Sequence, residues 1–112
     1  MKIVNRETFL NMPDGTVYSK YEPCNFGELS IMGGRCGNDY IDQSITTPWF
    51  QGCHDSGSWF DVLDKIQNGE PSPRMDFDCA GRDGFFDADQ LFAVWEKQDI
   101  LDLIKRLLEV VV

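Results

Sequence analysis

The chain has 112 residues, 42% of them apolar, with eight Phe, three Trp and three Tyr; that composition suits one folded domain spanning 1–112 and excludes a disordered chain. Ten Lys and Arg face nineteen Asp and Glu, a net charge of −9 that opposes direct binding to nucleic acid and to anionic lipid. No apolar run approaches the roughly 18 residues of a membrane span, and the early charges at Lys2, Arg6 and Glu7 argue against a secretory leader.

The first expected element is a short helix. Asn5 is a good N-cap, Val4 can staple onto Phe9, and Pro13 sets the limit. Met12-Pro13-Asp14-Gly15 then fits a turn. Residues 16–22 are rich in β-branched and aromatic side chains and predict a strand, with Val17, Ser19 and Tyr21 on one face and Tyr18 and Lys20 on the other. A second strand is expected over 28–32, closed by Gly33-Gly34. A third is expected over 39–46, and the three together suggest an antiparallel meander.

Residues 47–57 read as a loop. A helix is expected to start at Ser58, with Asp61 completing a capping box, and to run to Asn68-Gly69 on a stripe of Trp59, Val62, Leu63 and Ile66. Residues 70–74 hold two prolines and predict a connection. A fourth strand is expected over 75–79, a turn at Gly81-Arg82-Asp83-Gly84, and a well-buried fifth strand over 90–95. The last element is an amphipathic helix capped by Asp99, with Ile100, Leu103, Ile104, Leu107, Leu108 and Val111 in helical register. The order predicts an α+β domain: a twisted antiparallel sheet or open barrel of about five strands, with a central and a C-terminal amphipathic helix.

No catalytic signature stands out. Asp76, Asp78, Asp83, Asp87 and Asp89 form an acidic stretch; calcium is disfavoured because Ala80 and Asp87 occupy ligand positions that want a side-chain oxygen and a bidentate Glu. The stretch reads instead as a charged edge that docks on a partner. Trp49 and Phe50 are candidate anchors for that partner, weighed against core packing. The four cysteines have no C-x-x-C spacing and read as free thiols, mostly small buried hydrophobes. Cys53 and His54 are the one thiol–imidazole pairing, and the alternative they offer is a zinc site shared with another cysteine; no cofactor is expected otherwise. Gly33-Gly34-Arg35-Cys36-Gly37 matches no phosphate-binding loop and reads as a hairpin connection. Arg35 and Arg82 are the contacts of an alternative reading, a nucleotide-signal binder.

Residues 4–23 (from Val4-Asn5-Arg6-Glu7 through Met12-Pro13-Asp14-Gly15 to Pro23) and 82–100 (from Arg82-Asp83-Gly84-Phe85-Phe86 to Ile100) resemble a family of small hypothetical proteins encoded by phages and prophages. The resemblance covers about a third of the chain. It implies a viral accessory protein of the bacterial host cytosol, and it brings no catalytic residues with it. Size and charge associate such proteins with inhibitors of host defence, including anti-CRISPR proteins. The expected function is therefore non-enzymatic binding and inhibition of a host protein that presents a basic surface.

Overall fold

The computed structural model describes residues 1–47 and 49–112, so Pro48 of the expected 47–57 loop lies outside the described residues. The strands are β1 (Lys2–Val4), β2 (Val17–Glu22), β3 (Asn25–Phe26), β4 (Ser30–Cys36), β5 (Asp39–Ser44), β6 (Trp49–Phe50), β7 (Met75–Asp76), β8 (Gly81–Arg82) and β9 (Leu91–Val94). The helices are α1 (Arg6–Leu10), α2 (Ser56–Gln67) and α3 (Lys97–Val111). The main sheet is antiparallel and open, in the order β1-β9-β2-β4-β5-β8, with β3 paired to the far end of β2. β6 and β7 form a separate two-stranded ribbon. The class is α+β, as the element pattern predicts.

The core sits where α1 crosses β9. The Asn5 side chain accepts from the Thr8 N–H at 2.9 Å and starts α1 as expected. The helix is one short turn, and its purpose is to drop Phe9 and Leu10 onto the sheet. The Phe9 ring stacks on Phe92 with centroids 4.0 Å apart, and meets Tyr18 at 4.6 Å and Tyr40 at 5.1 Å. Met32 and Val94 complete the cluster, with Val4 and Met12 packed against it. Antiparallel register explains this grouping: Tyr18 lies opposite Val94 on one side and Ser30 on the other, and residues opposite one another share a face.

Several elements differ from expectation. The Gly33-Gly34 pair does not close β4; the strand runs through it with a bulge between Met32 and Gly34, and the chain reverses at Gly37-Asn38 instead. Gly33 suits that position, because a Cβ there would stand a tight 3.0 Å from the Ile41 side chain. The expected strand over 75–79 is cut to its first two residues. Met75–Asp76 pairs with β6, and Gly81–Arg82, expected as a turn, pairs with β5. α2 starts at Ser56 because Asp55, not Ser58, is the cap; its carboxylate accepts from the Ser58 N–H at 2.8 Å. α3 starts at Lys97, and Asp99 sits inside the first turn, accepting from the Glu96 N–H at 2.9 Å. The cysteines, expected to be mostly buried, are not: Cys24 and Cys36 are exposed, and Cys53 and Cys79 are half-buried. Among the described residues no helix is long and apolar enough to cross a membrane.

Candidate functional site

β2, β4 and β5 carry the core at one end and a polar cleft at the other. The cleft measures about 570 Å³ and opens between these strands and the segment 82–85. Strand alternation builds it. Tyr18 and Lys20 share a face of β2, and Tyr40 and Asp42 share a face of β5, so a row that begins as aromatic core ends in charge.

The contacts divide the charges unequally. The Lys20 ammonium pairs with Asp83 at 2.5 Å and lies 4.5 Å from the Phe85 ring centroid. Arg82 lines the cleft, but its Nε donates to the enclosed Asp39 carboxylate at 3.0 Å. Both cations are therefore already matched. The Asp42 carboxylate accepts from the Tyr18 hydroxyl at 2.6 Å, and Glu28 accepts from the Thr47 hydroxyl. Among the described residues neither Asp42 nor Glu28 has a cation in contact. Burial pushes the Asp42 carboxyl above its ordinary range, and the negative charges of Glu28 and Asp83 push the same way, against the hydrogen bonds from Tyr18 and Ser30. Burial also raises the Tyr18 and Tyr40 phenols far enough to keep both neutral, so Tyr18 keeps the proton that it donates to Asp42.

A second hollow of about 450 Å³ adjoins the first and shares Glu28, Asp42, Thr47 and Arg82 with it. Its far wall holds Trp49, Cys53, His54 and Cys79. Burial, then the nearby Asp76, pushes the Cys79 thiol up and leaves it a poor nucleophile at neutral pH. Among the described residues no three or more His, Cys, Asp and Glu side chains are grouped to hold a metal ion, so the zinc alternative on Cys53 and His54 gains no third ligand.

The acidic stretch does not stay together. Asp83 enters the cleft with its side chain only 4% exposed. Asp76 belongs to the small ribbon, where its carboxylate accepts from the Asp78 N–H at 3.0 Å. Asp87 and Asp89 are exposed in a turn before β9, closed by the Asp89 N–H on Asp87 at 3.0 Å. Trp49 is half-buried 5.9 Å from Trp59, while Phe50 is 5% exposed and packs inward. Arg35 and Arg82 line different cavities, so the structure does not bring them together.

Glu28 and Asp42 were not among the sequence candidates. The available signal was Asp42 itself, a charged residue on the same face of a strand as a core tyrosine. Comparison with protein-family models, curated proteins and solved structures gives no match, and the functional reading rests on the geometry of this cleft.

Proposed function

We propose that the protein is a non-enzymatic binding module whose carboxylate cleft receives a Lys or Arg side chain of a partner protein and thereby blocks the partner's basic surface. The carrying observation is Asp42: a half-enclosed carboxylate facing two like charges and, among the described residues, paired with no cation, while Lys20 and Arg82 of the cleft are engaged by Asp83 and Asp39. A guanidinium or ammonium placed between Asp42 and Glu28 relieves that repulsion and satisfies both acceptors. The net charge of −9 supports the reading, because it accelerates encounter with a basic surface and disfavours nucleic acid as the direct partner. Exposed Asp78, Asp87 and Asp89 contribute to that long-range field. The resemblance to phage proteins directs the search to the bacterial cytosol and to host defence or nucleic-acid-handling proteins, the anti-CRISPR type included.

The test compares the parent with the Asp42→Asn, Glu28→Gln double variant as baits in a bacterial lysate. The expected result is a protein held by the parent at low salt, released at high salt and not held by the variant. Equal retention by both baits, or retention unchanged by salt, would overturn the cleft reading.

A further inference from the structure

A groove of about 520 Å³ that shares no lining residue with the carboxylate cleft runs beside α1. Arg6, Arg35, Asn38 and Phe86 line it, with exposed Glu7 at its rim. Arg6 is 8% exposed, yet it has no carboxylate partner among the described residues. Its Nη2 donates to the Asn38 carbonyl at 2.5 Å, and its guanidinium carbon stands 5.7 Å from the Tyr40 ring centroid. Arg35 is held in the same way by neutral groups, the Gly37 carbonyl at 2.7 Å and the Asn11 amide oxygen at 3.0 Å. Arg6 is the unexpected one, because an enclosed cation without an anion is destabilising, and the exposed Arg35 lines the same groove.

Phe86 is the second observation. Its φ is 54°, in the left-handed region that a bulky side chain rarely adopts. Its ring is nonetheless 54% exposed at the groove, so core packing does not account for the strain. An aromatic face beside two guanidiniums matches a ligand with a planar ring and a phosphate: the ring stacks on Phe86, and the phosphate oxygens accept from Arg6 and Arg35. The groove's volume falls within the range of small-ligand sites.

We propose that this groove binds a nucleoside monophosphate. The net charge of −9 disfavours a polynucleotide, whose many phosphates would be repelled beyond the groove, whereas a single phosphate can sit on the two arginines and away from the Glu7 carboxylate at the rim.

Calorimetric titration with AMP, GMP, CMP and UMP, and with adenosine, inorganic phosphate and a short single-stranded oligonucleotide, tests this. At least one monophosphate is expected to bind, with adenosine and phosphate each about tenfold weaker or worse. Arg35→Gln, at an exposed site, is expected to weaken the monophosphate about tenfold and leave adenosine unchanged. Phe86→Gly removes the ring and relieves the backbone, so it is expected to weaken the monophosphate without lowering the melting temperature. No binding of any monophosphate at about 1 mM, binding insensitive to Arg35→Gln, or tighter binding of the oligonucleotide would each overturn the assignment.

Discussion

Asp39 and Asp42 stand on the same strand and ionise in opposite senses. Burial pushes Asp39 up, but the backbone N–H groups of Tyr40 and Gly84 and the Arg82 guanidinium outweigh it and hold the carboxyl below its ordinary range. The stability that Asp39 contributes is therefore complete above the ordinary aspartate value, and it is lost as the pH falls through the lower folded value. Asp39→Asn is expected to lower the melting temperature at pH 7, by about 2 kcal/mol of stability, with the difference narrowing in acid. Asp42 has the reverse sign. Its raised carboxyl holds a proton more tightly in the folded chain, so its ionisation weakens the fold as the pH rises through the ordinary and then the folded value. Asp42→Asn is expected to melt above the parent at pH 7, and a melting series run down through the aspartate range should close the gap. A variant that stabilises the free protein while abolishing partner capture would identify Asp42 as a group kept for binding.

The β4–β5 hairpin and α3 show what an element needs beyond its pattern. The hairpin closes on Gly37-Asn38, with Gly37 at φ 63° and open space where a Cβ would stand. Gly37→Ala therefore meets no clash, and its cost is the backbone conformation alone, about 1 kcal/mol by chemical denaturation. In α3 the sequence pattern places six apolar residues on one stripe, but the sheet covers only its edge. Ile100 and Leu103 are half-buried, with Leu103 beside Trp95 and Leu29, whereas Leu107, Leu108 and Val111 are exposed. Leu103→Ala is expected to lower stability measurably, and Leu108→Ala to change it by less than about 0.5 kcal/mol. Helical spacing identifies an apolar side; it carries no information on how much of that side another element reaches. The same limit explains the bulge in β4, where paired glycines fit a turn and a close strand-to-strand approach equally well.

At the scale of the molecule, local chemistry was legible and long-range pairing was not. The N-cap at Asn5, the strand at 17–22, the buried fifth strand and the terminal helix follow from neighbouring residues, and the α+β class follows from their order. Strand order does not, because β9 pairs with β1 and β2 across most of the chain. The cleft depends on that assembly: Lys20 and Asp83, or Tyr18 and Asp42, meet only once the sheet exists, and no sequence spacing relates them. The place of β9 between β1 and β2 makes Phe92, fully buried, a demanding core position. Phe92→Ala removes the ring stacked on Phe9 and is expected to cost about 3–5 kcal/mol, enough to unfold a domain of ordinary stability when followed by near-ultraviolet dichroism.

The strand that joins β1 to β2 is also the last strand in chain order. A ribosome releases β1, α1 and β2 long before residues 91–94 emerge, and until then the gap between β1 and β2 stays unfilled, with Phe9 and Tyr18 lacking their partner. During synthesis β1 and the β9-facing edge of β2 therefore stay unpaired until residues 91–94 are available, and the sheet is completed in that late step.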